Sequence, residues 1–546
     1  MSRIICVLFT LLAGACAATA QVPVPAVQIR VDAGAARHAI NPNIYGVSGA
    51  TSAQLEDLNV PLLRYGGNNT SRYNWLANAD NRGQDWYFES VAAAGTGPGA
   101  RVHQLITDAR AAGAQPMITI PIIDWVATLG RDGARLASFS ERKYGRQTAR
   151  DSEWFPDAGN GLLQSTGQPV ANNDPSDANV PNSASLQRQF VESLVTQWGG
   201  AARGGPRYYL LDNEHSLWHE THRDVQPVGA TMEQVRDRMV TYATAIKAAD
   251  PNALVVGPEE WGWAGYLYSG FDQQYGKARG WGALPDRSAH GGTDYLPWLL
   301  TQLKADGRHL LDVFSVHYYP DAGEYSETVT ESMQLRRNRS TRSLWDPAYV
   351  HEGWIQDTVK LIPRLRQWVD RYYDAGTPIA ITEYNWGAEG HINGATAQAD
   401  VLGIFGREGL DMAARWTTPA STTPVYNAIK LYRNYDGHHS TFGDVSIAAA
   451  SPNPDEVAVF AAERTSDHAL TVMVIAKALS GDRRVSLEIA HADTAAAAEV
   501  YRLDASNVIT RLPGVDVKDG RLTFTAPPQS LTLLVLPAAA QAATLR

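Results

Sequence analysis

Cysteine is nearly missing: the 546 residues hold two, Cys6 and Cys16. Both fall in an N-terminal stretch with the grammar of a signal peptide. Arg3 supplies the positive charge, residues 4–12 the apolar segment, and Ala18-Thr19-Ala20 a cleavage site ahead of Gln21. A chain cut there has no thiol, which excludes disulfides, thiol catalysis and cysteine-ligated zinc. Long hydrophobic runs are missing too. Residues 4–12 are too few to span a bilayer, and no later segment reaches the length required. The expectation is a protein secreted to the periplasm or medium, with no membrane partner. Ala13-Gly14-Ala15-Cys16 is close to a bacterial lipoprotein box without its leading leucine, so a lipid anchor on Cys16 is the alternative. Charge of one sign is not concentrated either: 47 Lys and Arg stand against 57 Asp and Glu, net −10, and they are dispersed. Without a basic stripe to neutralise phosphates, nucleic acid is not an expected partner.

What is present is aromatic. Fifteen Trp and 23 Tyr are a heavy load; core packing takes most of them, and some can act as platforms for the apolar faces of sugar rings. Short apolar runs at 44–47, 62–65, 117–121, 208–211, 254–257, 313–316, 379–382 and 414–417 alternate with helix-like stretches, among them 232–249 behind a Thr231 cap and 358–373. Eight βα units predict a (β/α)8 TIM-like barrel over residues 41–447. Segments 89–99 and 144–181, rich in Asn, Asp and Gly, read as long barrel loops. Beyond residue 448 the texture changes to short alternating runs (457–462, 470–476, 485–489, 499–503, 522–525 and 531–536), which predict a smaller β-sandwich over 448–546. The run 27–31, in the stretch 21–40 after the leader 1–20, is expected to pair with that sandwich.

In a barrel, reactive groups sit at the C-terminal ends of strands. The fourth run ends Asp212-Asn213-Glu214, the sixth His317-Tyr318-Tyr319, and the seventh Thr382-Glu383-Tyr384. Glutamates closing strands four and seven face each other across a barrel mouth, as a retaining glycosidase requires: one carboxyl shuttles a proton and the other attacks the anomeric carbon. Asn213 beside Glu214 suits the sugar 2-hydroxyl and points to Glu214 as acid/base, leaving Glu383 as nucleophile. Two other readings compete. A pocket could bind glycans without cutting them, as on a surface-display protein. His215, His219 and His222 could hold a metal, although their spacing does not fit H-E-x-x-H. No G-x-S-x-G elbow or phosphate cradle is present. Asp174 and Asp177, beside Asn172 and Asn173, could offer oxygen ligands to calcium.

Several ordered stretches resemble glycoside hydrolase family 44. They include Gly66-Gly67-Asn68-Asn69-Thr70-Ser71-Arg72-Tyr73-Asn74-Trp75, Leu211-Asp212-Asn213-Glu214, Trp261-Gly262-Trp263, Leu344-Trp345-Asp346-Pro347 and Ile381-Thr382-Glu383-Tyr384-Asn385. The likeness spans nearly the whole mature chain. It implies a barrel joined to a β-sandwich and retaining endo-β-1,4-glucanase activity on xyloglucan and soluble cellulose. It also implies acid/base chemistry at Glu214 and the nucleophile at Glu383. An endo-acting mannanase or xylanase on the same barrel is the alternative specificity. The likeness places Asn68, Trp86, Asn213, Trp354 and Trp416 in the glucan cleft, and the motif residues Trp263, Tyr319, Trp345 and Tyr384 join them as substrate-binding candidates. No cofactor is needed for the chemistry. A structural calcium is implied, with Glu89 a ligand beside Asp174 and Asp177. The expected partner is a β-1,4-glucan, and the expected state a monomer.

Overall fold

The computed structural model describes residues 26–539; the expected signal peptide with Cys6 and Cys16 lies outside them. Eight parallel strands close into a barrel in chain order: β1 (Gly46–Ser48), β2 (Leu62–Tyr65), β3 (Gln115–Ile120), β4 (Tyr208–Leu211), β5 (Leu254–Glu260), β6 (Val313–Tyr318), β7 (Ile379–Tyr384) and β8 (Met412–Arg415). All eight expected runs became barrel strands. The interior is dry at its base, where Leu62, Met117, Tyr208, Leu210, Val256, Val313, Ala380 and Met412 fill it. One layer higher the filling turns polar, beginning with Arg64, two residues beyond Leu62 on the same strand face. Helices cover the outside. Thr51 and Thr231 each start one with a reciprocal capping box, to Gln54 and Gln234 respectively. The expected helix at 358–373 occupies Leu361–Tyr372.

Two of the strands depart from regular pleating, and both departures flank β6. In β5, Pro258 pairs with Ser315 and Glu260 with Val316, so Glu259 is an extra residue, at φ 62°. In β7, Ile381 pairs with Val316 and Glu383 with His317, so Thr382 is extra. Such bulges re-aim side chains that strict alternation would send to the other face. The strands therefore end with Glu259 and Glu383 turned into the barrel mouth.

The chain's last strands form a sheet that folds into two layers. Its order is Thr510–Asp516, Ala497–Leu503, Ser530–Leu536, Ala469–Ala476, Val457–Arg464, Val445–Ala450, Val27–Asp32, Arg483–Ala490 and Arg521–Ala526. The N-terminal strand Val27–Asp32 lies in it as expected, antiparallel to Val445–Ala450 and parallel to Arg483–Ala490. Alternation along Val457–Arg464 divides two cores. Val457, Val459 and Ala461 face the other sandwich layer. Ala458, Phe460 and Ala462 face the barrel. The contact there is helix Ile392–Arg407, buried from Ile392 to Gly406. Gly403 makes this approach possible, since a Cβ on it would lie 2.2 Å from the Phe460 ring.

Candidate active site

The end of β4 turns sharply. Asp212 and Glu214 both take left-handed backbone conformations, φ 68° and 48°, which cost energy for residues with a Cβ. The turn is held from several directions. Asp212 Oδ2 accepts from the N–H groups of Ile122 (2.5 Å) and Ile123 (3.0 Å). Trp218 Nε1 donates to the Asn213 carbonyl (3.0 Å), and Glu214 N–H to the Glu259 carbonyl (3.0 Å). These contacts fix Asn213 and Glu214 at the barrel mouth.

Opposite them stands Glu383. Arg64 Nη1 donates to its Oε1 at 2.6 Å and the Tyr319 hydroxyl to its Oε2 at 2.9 Å. Arg64 is wholly buried and its other nitrogen, Nη2, reaches Glu259 Oε2 (3.0 Å) and Asn213 Oδ1 (3.1 Å). Gly66 leaves room for the guanidinium, which a Cβ there would meet at 2.2 Å. His317 lies between the carboxylates. Its Nδ1 is 2.9 Å from Glu214 Oε1 and 3.6 Å from Glu383 Oε2, and its Nε2 is 3.3 Å from Glu259 Oε2. Glu259 is completed by the hydroxyls of Ser315 (2.5 Å) and Thr382 (2.8 Å).

Carboxylate oxygens of Glu214 and Glu383 lie within 4.8 Å of each other and of the His317 ring. Burial alone would lower the His317 pKa, but Glu383, Glu214 and Glu259 outweigh it and raise it to about 9. The surrounding carboxylates thus favour the protonated ring, whose Nε2 also lies 3.2 Å from Arg64 Nη2. Burial pushes Glu214 up, against the pull of His317 and with the help of Glu383. Glu259, despite burial, is drawn down to about 2 by Arg64 and His317. Arg64 and His317 thus both face Glu259 and Glu383. Behind Glu214, Glu260 is buried, accepts from Ser216 Oγ at 2.7 Å, and is raised by burial to about 8.

The other expected site residues divide. Asn68 accepts from Asn213 Nδ2 (3.1 Å) and donates to Asp85, so it joins the mouth. Trp416 lies over Gly67, whose missing side chain admits the indole. Trp86 borders an open trough with Asn69, Arg82, Asp85, Arg135 and the exposed Trp154. Tyr319 sits directly on Glu383. Trp354 is exposed, on the segment before Leu361–Tyr372. Three candidates are turned away from the mouth. Trp263 is buried against Tyr266 and the Arg364 guanidinium. Tyr384 points into the helix layer, where Gln398 Nε2 donates to its hydroxyl (3.1 Å). Trp345 lies under Arg407 at the junction with the sandwich.

The three expected calcium ligands do not converge. Asp177 is engaged by Lys143 (2.5 Å) and the Tyr144 hydroxyl (2.6 Å), and Asp174 caps Ser176. Glu89 Oε2 accepts from Arg135 at 3.1 Å, and the neighbouring Asp151 accepts from Trp86 Nε1 and from the N–H groups of Glu153, Trp154 and Phe155. His215, His219 and His222 form no shared-ligand group. His215 bonds the Leu211 carbonyl, and burial lowers His215 and His222 to about 3. Arg64, Glu259 and Glu260 had not stood out in the sequence. A lone arginine in the apolar run Leu62-Leu63-Arg64-Tyr65 was the available signal, because a buried guanidinium demands acidic partners.

Comparisons with known proteins bear on the family and the fold. The sequence pattern of Glycoside hydrolase family 44 matches residues 79–322. Endoglucanase A of Paenibacillus lautus is 30% identical over 563 residues, covering 97% of this chain and 76% of that protein. Among solved structures, CelM2, a bifunctional glucanase-xylanase from a metagenome library, superposes with a TM-score of 0.93 at 60% identity, covering 94% of this chain and all of that one. A Paenibacillus polymyxa xyloglucanase of family 44, solved with xyloglucan, gives a TM-score of 0.78 at 29% identity, covering 94% and 99%.

Proposed function

The chain belongs to glycoside hydrolase family 44, and from that premise we propose that it is a secreted, monomeric, retaining endo-β-1,4-glucanase that cuts xyloglucan and soluble cellulose. The observation that carries the reading is the close approach of Glu214 and Glu383, within 4.8 Å between oxygens. Retaining enzymes place their carboxyl groups about 5–5.5 Å apart, and inverting enzymes leave about 6.5–9.5 Å for a water. In the first step a Glu383 oxygen attacks the anomeric carbon while Glu214 gives its proton to the glycosidic oxygen. The C–O bond breaks, the leaving chain departs as an alcohol, and a glycosyl ester remains on Glu383. In the second step Glu214, now a carboxylate, takes a proton from water as the water oxygen attacks the same carbon. The ester bond breaks and Glu383 is restored, so the product keeps the β configuration. Arg64 and Tyr319 hold Glu383 in position for the attack. Asn213, oriented by Asn68 and Arg64, is placed for the 2-hydroxyl.

Proton NMR of the first minutes of hydrolysis tests this. New reducing ends are expected as β-anomers that mutarotate later; α-anomers appearing first would exclude a covalent intermediate. Viscosity falling ahead of reducing-end release would establish internal cleavage. CelM2 favours a second activity, on xylan. Xylose lacks the hydroxymethyl group, a difference that a pocket discriminates by roughly 10–200-fold. Slower cleavage of xylan than of xyloglucan, by a factor in that range, is the corresponding expectation.

Calcium, implied by the family, would be structural. The residues that fit it are Glu89 and Asp151. Glu89 Oε1 is buried with no hydrogen-bond partner. Burial, with Asp151 beside it, raises Glu89 to about 7 although Arg135 pairs with its other oxygen at 3.1 Å, so a cation between Glu89 and Asp151 would favour both carboxylates. Millimolar calcium is expected to raise Tm and EDTA to lower it, with a gain near 2.7 kcal/mol at about a hundredfold Kd. The variant Glu89→Gln should lose that response. An unchanged calcium shift in the variant would place the ion elsewhere.

A further inference from the structure

Glu214, His317 and Glu383 are one of two groups of acidic and histidine side chains, among the described residues, close enough to share an ion. The other is Glu233, Asp286 and His290, on the helical shell. Glu233 stands in the first turn of helix Met232–Ala249, which follows β4. Asp286 opens the short helix Pro285–Ala289, and His290 ends it. The two helices are already tied, because Asp286 Oδ2 accepts from the Met232 N–H at 2.9 Å.

His290 is locked by stacking on Trp298, with ring centroids 4.5 Å apart and planes 23° from parallel. Its side chain is 9% exposed and Nε2 has no hydrogen-bond partner. Yet Glu233 Oε1 lies 2.9 Å from that nitrogen and Asp286 Oδ1 3.9 Å. At 2.9 Å the Glu233 oxygen must sit well off the N–H axis for no hydrogen bond to form. The imidazole nitrogen and the two carboxylate oxygens thus converge at ion-pair distance without a hydrogen bond between them, a geometry that ligands of one shared ion also have. Zinc takes nitrogen and oxygen ligands at about 2.0–2.2 Å, which sets neighbouring ligand atoms about 3.3 Å apart and off each other's lone-pair axes. The contacts at 2.9 and 3.9 Å bracket that spacing.

We infer that Glu233, Asp286 and His290 form a zinc site distinct from the catalytic centre, its remaining position open to water. An imidazole donor with two carboxylates selects a borderline transition ion such as Zn²⁺ over calcium or magnesium. The ion would pin the start of helix Met232–Ala249, which leads out of the loop carrying Glu214, to the helical segment that follows β5.

The test uses the full chain, stripped with chelator and desalted, then titrated with zinc chloride by calorimetry alongside thermal unfolding. One zinc per chain with a rise in Tm is expected, and a comparable calcium titration should not compete. Glu233→Gln, whose side chain is half exposed and tolerant of change, should weaken zinc at least tenfold; so should His290→Ala. Zinc affinity and stoichiometry unchanged in both variants would overturn the site. So would loss of zinc binding in Glu383→Gln, which would place the ion in the catalytic cluster.

Discussion

Replacing Glu383 with glutamine is expected to lower kcat/KM on xyloglucan by about 10⁴-fold or more, some 5.4 kcal/mol of transition-state stabilisation, because the covalent route is closed. The fold should survive. Arg64 loses one ionic partner, and stripping a buried charge of its only partner costs about 3–5 kcal/mol. Here Glu259 Oε2 and Asn213 Oδ1 still hold the guanidinium at 3.0 and 3.1 Å. Tyr319 can donate to the amide oxygen as it did to the carboxylate. A Tm within a few degrees of the parent, by calorimetry, is therefore expected beside the lost activity. Shortening further, to Glu383→Ala, opens space for a small anion. With azide and an activated aryl β-glycoside, that variant should regain turnover and release the α-glycosyl azide, the product of a single inversion. Near-normal hydrolysis in Glu383→Gln, or a β-azide from Glu383→Ala, would remove Glu383 from the role of nucleophile.

The pair was legible because each glutamate closes an apolar run at an ordinal position that barrel closure brings face to face. What was not legible is how the side chains arrive there. Ile381 and Tyr384 point to the helix layer while Thr382 and Glu383 both point into the mouth, which simple alternation forbids. The extra residue in β7 resolves it, and extra residues of this kind leave no mark in a pattern of apolar and polar types. The same device in β5 carried the strand three residues past Gly257 and hid Glu259 and Glu260, although both are fully buried. Aromatic type misled for a related reason. Trp263, Trp345 and Tyr384 are residues that suit sugar stacking and core packing equally, and composition does not say which face a side chain takes. Asp174 and Asp177 read as calcium ligands from an acidic loop, which is recognised by residue type and not by what its carboxylates already bind. Those two had Ser176, Lys143 and Tyr144.

Glu214→Gln should lose activity in proportion to the help its leaving group needs. A glucan chain leaves as a poor alkoxide, so removing the proton donor is expected to lower kcat/KM by about 10²–10⁴-fold on xyloglucan. A 2,4-dinitrophenyl β-cellobioside leaves without protonation. Its first step should run at close to the parent rate, while the second, which also needs Glu214 as base, slows. The variant should then show a burst of dinitrophenolate followed by slow turnover, and azide should accelerate that turnover and give the β-glycosyl azide. The pH profile supplies an independent check. Burial raises Glu214 above the ordinary carboxylate range, tempered by His317 at 2.9 Å. The acid must be protonated for the first step, so the parent's kcat/KM falls as pH rises through that raised pKa. In Glu214→Gln the alkaline limb should disappear for the dinitrophenyl substrate. Equal losses on the two leaving groups, with the limb intact, would mean that the proton comes from another group. Glu260 is the buried acid next in line, accepting from Ser216 Oγ at 2.7 Å.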